Sequence, residues 1–255
     1  MSGAIYIEIT ATRGSAPRDA GTAMKVTAEA TTGTIGGGAL EHQAIRIARQ
    51  MLTNDAPELT RSFPLGPGLG QCCGGSVKLL FTRDKRSTDM EHFHVHPLKT
   101  QPAHPAFLWL WGAGHVGRAV MRAAHPQAFK ITWVDDAADR FPSGPLGADA
   151  RVIAADMPRL AMRAPVNAHH LIFTYSHDID LALCAALLER GFASCGLIGS
   201  ETKWTRFDKR LRALGLDPAP ITCPIGDKSL GKAPDAIARG CVNRLLALMP
   251  EGETA

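Results

Sequence analysis

No apolar run in this 255-residue sequence approaches the roughly 20 residues that a helix needs to cross a bilayer, which argues against a helical membrane protein. No leader is expected either. The chain opens Met-Ser-Gly-Ala-Ile-Tyr-Ile-Glu, with Glu8 where a signal peptide has its apolar core. A cytoplasmic protein with no membrane partner is expected. Charge of one sign is scarce. Lys plus Arg number 28 and Asp plus Glu 24, a formal net charge of +4 with no dense basic patch, so no nucleic-acid partner is expected. Six cysteines in a cytoplasmic chain of this size are no disulfide framework. Only Cys72 and Cys73 are close in sequence, and adjacent cysteines close a strained ring with difficulty. They read as two thiols offered at one place. Internal repeats and low-complexity tracts are absent.

What is present is material for a core. Hydrophobic residues make up 45% and charged residues 20%, which argues against disorder. The 25 Gly and 17 Pro point to many tight loops. Composition shifts near 83–105, which is charged, then rich in His and Pro. The boundary is drawn there: a first domain over 1–85, a linker over 86–104 with a short edge strand at 93–98, and a second domain over 105–255.

The first domain reads as a small α+β unit. Ile5, Ile7 and Ile9 alternate with polar neighbours as in a half-buried strand, and Met24 and Val26 suggest a second. A helix carries Leu40, Ala44, Ile47, Ala48 and Met51 on one stripe, and a strand follows at 77–82. The second domain alternates expected strands (107–111, 131–135, 151–155, 171–176, 194–198, 221–225) with expected helices (116–124, 179–190, 202–214, 234–248). Strands apolar on both faces, alternating with helices, predict a doubly wound parallel sheet, so the fold class is α/β.

Several motifs carry chemistry. Gly112-Ala113-Gly114-His115-Val116-Gly117 is a G-x-G-x-x-G between a strand and a helix, and Asp135 closes the next strand at the spacing of a ribose-binding acid. Such glycines let backbone approach a phosphate at a helix N-terminus; they also permit close strand–helix packing, and the sequence leaves both readings open. Asp136 beside Asp135 would repel a 2′-phosphate. In the first domain two Gly-rich loops stand out: Gly33-Thr34-Ile35-Gly36-Gly37-Gly38, and the loop around Gln71-Cys72-Cys73. With Arg13 and Arg18 they could hold an anion, or they are tight turns. Cysteines flanked by Gly70, Gly74 and Gly75 are poor packing material and are placed for metal ligation or sulfur exchange. His92, His94 and His96 would share one strand face, but no ligand cluster completes a zinc site nearby.

Two further segments follow strands of the second domain. In Ser176-His177-Asp178-Ile179-Asp180, His177 is an acid/base or phosphate contact, while Ser176 and Asp178 equally suit helix capping. After Gly199-Ser200, a helix is expected to bury Trp204, Phe207, Leu211 and Leu214. Lys203, Arg206 and Arg210 then line another face, as an anion site or merely a solvated one.

These residues carry a family resemblance. Gly14-Ser15-Ala16-Pro17-Arg18, the 33–38 loop through Leu40-Glu41, and Gly70-Gln71-Cys72-Cys73-Gly74-Gly75 resemble the N-terminal signatures of the XdhC/CoxI family. The 112–117 motif, Phe141-Pro142, 177–180, Gly196-Leu197-Ile198-Gly199-Ser200 with Lys203 and Arg206, and Pro224-Ile225-Gly226 resemble its C-terminal, Rossmann-like domain. One departure is visible: the Arg that often stands close to the Asp of the second Rossmann strand is delayed here to Arg140. The resemblance implies a cofactor-binding chaperone rather than an enzyme. It would bind the molybdenum cofactor (molybdopterin), protect it while a cysteine desulfurase supplies sulfur, and deliver it to apo-xanthine dehydrogenase. On that reading Arg13, Ser15, Arg18, Gly36, Gly37, Gly38, Gln71, Cys72 and Cys73 belong to the first domain's site, the two cysteines touching metal. Gly112, Gly114, His115, Gly117, Asp135, His177, Ser200, Lys203 and Arg206 belong to the second, which has room for an NAD-type nucleotide. A homo-oligomer is expected. The rival is a nicotinamide-dependent oxidoreductase, which leaves Cys72-Cys73 unexplained. A nucleotidyltransferase would have only Asp178 and Asp180 as a carboxylate pair.

Overall fold

The computed structural model describes residues 3–65, 75–88, 104–142 and 148–249. The chain divides into two compact units, 1–92 and 93–255. The expected edge strand at 93–98, the His92/His94/His96 group and the Gln71-Cys72-Cys73 motif lie outside the described residues.

The first unit is a five-stranded antiparallel sheet: β1 (Ile5–Arg13), β2 (Ala23–Val26), β3 (Thr31–Gly33), β4 (Leu59–Pro64) and β5 (Ser76–Thr82), in the order β3-β2-β1-β5-β4. The alternation in β1 sends Ile5, Ile7 and Ile9 inward, all fully buried. They meet the expected stripe of α1 (Gly38–Thr53): Leu40, Ala44, Ile47, Ala48 and Met51 are buried against Val77, Leu79 and Phe81. Strand β4 was not legible. Of Leu59-Thr60-Arg61-Ser62-Phe63-Pro64 only Phe63 is buried, so an edge strand leaves little pattern.

Among the described residues the second unit forms a six-stranded sheet, all parallel: β6 (Ala106–Trp111), β7 (Phe129–Asp135), β8 (Ala150–Ile153), β9 (His169–Ile172), β10 (Ser194–Leu197) and β11 (Ile221–Thr222), in the order β11-β10-β9-β6-β7-β8. Counted within this unit the order is 3-2-1-4-5-6, that of dinucleotide-binding sheets, with the order reversing between β6 and β9. Helices cover both faces. One face carries α2 (His115–Ala123) and α6 (Pro234–Ala247) over Leu108, Leu110, Ile131 and Trp133. The other carries α3 (Met157–Ala161), α4 (His177–Arg190) and α5 (Glu201–Ala213) over Trp111, Val134, Ile172 and Leu197.

One helix was not expected, and two expectations are corrected. Helix α3 exists but has only five residues, too few to show a period; Asp156 caps it by accepting from Arg159 N at 3.0 Å. Leu214 is 66% exposed, because α5 ends at Ala213 before it can join the buried stripe. Lys203, expected on a separate charged face, is buried. Among the described residues no helix is long and apolar enough to cross a membrane.

Candidate functional site

Three loops of the first unit meet. A Cβ on Gly36, whose φ of 122° suits only glycine, would lie 2.6 Å from the Pro17 ring, and one on Gly75 would collide with the carbonyl oxygens of Arg13 and Ser15. Hence 13–18, 33–38 and Gly75, where the described chain resumes after Gln71-Cys72-Cys73, pack together. Arg13, Ser15, Gly36 and Gly38 are exposed there, Gly37 is half-buried and Arg18 is buried.

The 33–38 loop already holds an anion of its own. Buried Glu41, in the first turn of α1, turns back so that Oε2 accepts from Thr34 Oγ1 at 2.5 Å, Ile35 N at 2.9 Å and Gly37 N at 3.1 Å. Gly36 N donates to Thr34 Oγ1 at 3.0 Å. The loop's inner donors therefore serve the start of α1, where a carboxylate also suits the helix dipole. What the loop presents outward is its exposed glycine backbone beside Arg13 and Ser15.

In the second unit the remaining candidates gather at the carboxyl edge of the sheet, where ligands of such folds bind. The three motif glycines divide by role. A Cβ on Gly112 would run into the Phe173 carbonyl, and one on Gly117 into the Gly112 carbonyl, so both pack strand against strand and helix against strand. Gly114 is exposed, and a Cβ there would meet nothing within 4 Å. It is the N-cap of α2, and among the described residues no side-chain hydrogen bond caps that position. An open, uncapped helix start of this kind suits a phosphate.

Asp135 is committed elsewhere. Its side chain is 3% exposed. Oδ2 accepts from Ala113 N at 2.6 Å, and Oδ1 accepts from Asp136 N at 2.8 Å and Arg140 Nη1 at 2.9 Å. Burial raises its pKa against those bonds. The short 3₁₀ turn Ala138–Arg140 returns Arg140 to both carboxylates, which explains how an Arg delayed in sequence still reaches them; Nη1 also lies 2.6 Å from Asp136 Oδ1. Arg118 braces the turn by donating to Ala113 O and Arg140 O at 3.0 and 2.5 Å. Tyr175, beyond β9, donates its hydroxyl to Asp136 Oδ2 at 2.6 Å, and its ring lies 3.9 Å from the Arg140 guanidinium carbon. Sequence reasoning missed Tyr175. Its only signal was an aromatic residue just past a strand, next to Ser176.

The segments after β9 and β10 are joined by an ion pair. Lys203 Nζ donates to Asp180 Oδ2 at 2.5 Å and to Ile198 O at 2.9 Å, while Asp180 Oδ1 accepts from Thr174 Oγ1 at 2.6 Å. Ser176 and Ser200 cap α4 and α5, accepting from Ile179 N and Lys203 N. His177 starts α4, half-buried, with burial and then Lys203 pushing its pKa down. Arg206 is exposed on α5, and His115 opens α2. Among the described residues no three His, Cys, Asp or Glu side chains cluster to hold a metal ion. Cys184 and Cys195 are buried with their thiols pushed well up by burial, which marks them as packing groups.

Two family models match the chain. Residues 108–242 match the model of the XdhC Rossmann domain, and residues 3–64 that of the XdhC and CoxI family. The uncharacterized protein YqeB of Escherichia coli (strain K12) is 24% identical over 246 residues, covering 94% of this chain. The chain spans 42% of that protein's length. A Bacillus halodurans protein described as a xanthine dehydrogenase is 18% identical, with a TM-score of 0.47 over 97% of this chain and 91% of that one.

Proposed function

Because the chain belongs to the XdhC and CoxI family, we propose that it is an accessory protein of xanthine dehydrogenase maturation. It binds the molybdenum cofactor as cargo, shields it while a cysteine desulfurase supplies the terminal sulfido ligand, and passes it to the apo-enzyme. The cargo sits on the first unit and an NAD-type nucleotide in the crevice of the second. The protein works as a homo-oligomer.

The observation that carries this reading is the meeting of 13–18, 33–38 and Gly75 at one place. Arg13 supplies a cation and Ser15 a hydroxyl on that exposed rim, a donor set that suits the phosphate of a pterin cofactor. Cys72 and Cys73 stand three and two residues before Gly75 in sequence, and thiolates are the soft donors that molybdenum accepts. A nicotinamide-dependent oxidoreductase using the crevice of the second unit leaves those thiols unexplained. The nucleotide reading is supported separately by the strand order and by the open, uncapped helix start at Gly114.

Purification from a molybdenum-replete host tests the reading. Acid oxidation of the purified protein is expected to release a fluorescent pterin. Release of no pterin, together with a shift of nicotinamide fluorescence on titration, favours the oxidoreductase instead.

A further inference from the structure

The carboxyl edge of the parallel sheet contains two adjacent carboxylates in unlike surroundings. Asp135 has three donors on its two oxygens, and its Oδ2 bond to Ala113 N holds the glycine turn in place. A ligand reaching it would have to displace backbone. Asp136 is 21% exposed. Its Oδ1 faces Arg140, and its Oδ2 accepts the Tyr175 hydroxyl.

That hydroxyl comes from the other side of the crevice. Asp136 follows β7 and Tyr175 lies beyond β9, the two strands flanking β6. The 112–114 turn emerges from β6 between them. Its Gly112 packs on Phe173 on one side, and its Ala113 bonds Asp135 on the other. The Tyr175–Asp136 bond therefore links the two walls of the crevice at the turn where the phosphate-friendly helix start opens. Tyr175 is 52% exposed and is held there by its hydroxyl, which bonds Asp136 and also meets the Arg140 side chain, and by its ring on the Arg140 guanidinium. A ribose hydroxyl offers Oδ2 the same donor, O–H to carboxylate, so exchanging one for the other loses no hydrogen bond.

We propose that Asp136, not Asp135, is the acceptor for a ribose hydroxyl in this crevice, and that Tyr175 is a latch that gives up Asp136 Oδ2 when a ribonucleoside diphosphate enters. This rests on the reading of the crevice as a nucleotide site. The diphosphate lies at the start of α2, and the ribose at Asp136. A 2′-phosphate is excluded, because Arg140 is already paired with both carboxylates.

The test uses the full chain and isothermal titration with ADP and 2′,3′-dideoxy-ADP. The wild-type protein is expected to bind ADP about tenfold more tightly than the dideoxy analogue, the scale of one charge-assisted hydrogen bond. Tyr175→Phe removes the competing donor; it tightens ADP binding about threefold, leaves the dideoxy analogue unchanged and so widens the gap to about thirtyfold. Asp136→Ala closes the gap. Asp135→Asn keeps it and lowers the melting temperature instead. Equal binding of the two nucleotides by the wild type, or a gap that survives Asp136→Ala, overturns the role of Asp136 and leaves the nucleotide reading intact. Unchanged ADP affinity in Tyr175→Phe overturns the latch. No ADP bound by either the wild type or Tyr175→Phe overturns both the proposal and the nucleotide reading.

Discussion

Lys203 Nζ lies 2.5 Å from Asp180 Oδ2, with the two side chains 5% and 1% exposed. The pair ties the start of α5 to the start of α4, and through Thr174 and Ile198 O to the loops leaving β9 and β10. A buried pair of this kind is weak evidence of net stability, but removing one partner strands the other charge. Lys203→Met is therefore expected to cost about 3–5 kcal/mol in urea unfolding. Arg206→Met, on an exposed side chain of the same helix, stays within about 0.5 kcal/mol. Equal effects of the two changes contradict the assignment.

The motif glycines give a second test. Gly112→Ala and Gly117→Ala drive a Cβ into a carbonyl oxygen and are expected to lower the melting temperature strongly, whereas Gly114→Ala leaves it nearly unchanged. Gly114→Val, with its branched side chain over the start of α2, weakens nucleotide binding while the circular dichroism spectrum stays as in the wild type. Retained binding with reduced stability in Gly114→Val assigns that glycine to packing.

Acid sensitivity follows from His170. It is fully buried, its Nδ1 accepts from Trp111 Nε1 at 3.2 Å, and its Nε2 has no partner among the described residues. Burial, with His169 adding, pushes its pKa down to about 3. The folded state thus binds the proton more weakly than the unfolded chain, whose His titrates near 6.5. The associated stability is complete above that value and is lost as pH falls from about 6.5 toward 3, at about 1.4 kcal/mol per pH unit. His170→Gln is expected to flatten the fall in melting temperature between pH 6 and 4. His169 and His177 shift in the same direction, so a residual slope remains. An unchanged slope in His170→Gln contradicts this account.

The second domain was legible because its signals are local. Apolar runs such as Phe107-Leu108-Trp109-Leu110-Trp111 mark buried strands, and the glycine motif lies between β6 and α2 with Asp135 ending β7, as the spacing predicts. What escaped was set by tertiary contact. The sequence shows Asp135 and Asp136 side by side, but not that one supports a turn while the other faces Tyr175, 39 residues further on. Lys203 looked like a surface cation because its helix position says nothing of Asp180, 23 residues earlier. Glu41 was noted only within a motif; its position as the loop's own anion depends on how 33–38 folds back.

The central claim is tested most directly at Cys72 and Cys73. The full chain is mixed with excess molybdenum cofactor, desalted, and analysed for molybdenum, with activation of apo-xanthine dehydrogenase measured alongside. Changing both cysteines to Ser is expected to sharply lower retained molybdenum and block activation, while Cys184→Ser or Cys195→Ser, at buried packing thiols, leaves both unchanged apart from stability. Full molybdenum retention and full activation in the double variant contradict the claim, and point to the crevice of the second unit as the place where the cofactor binds.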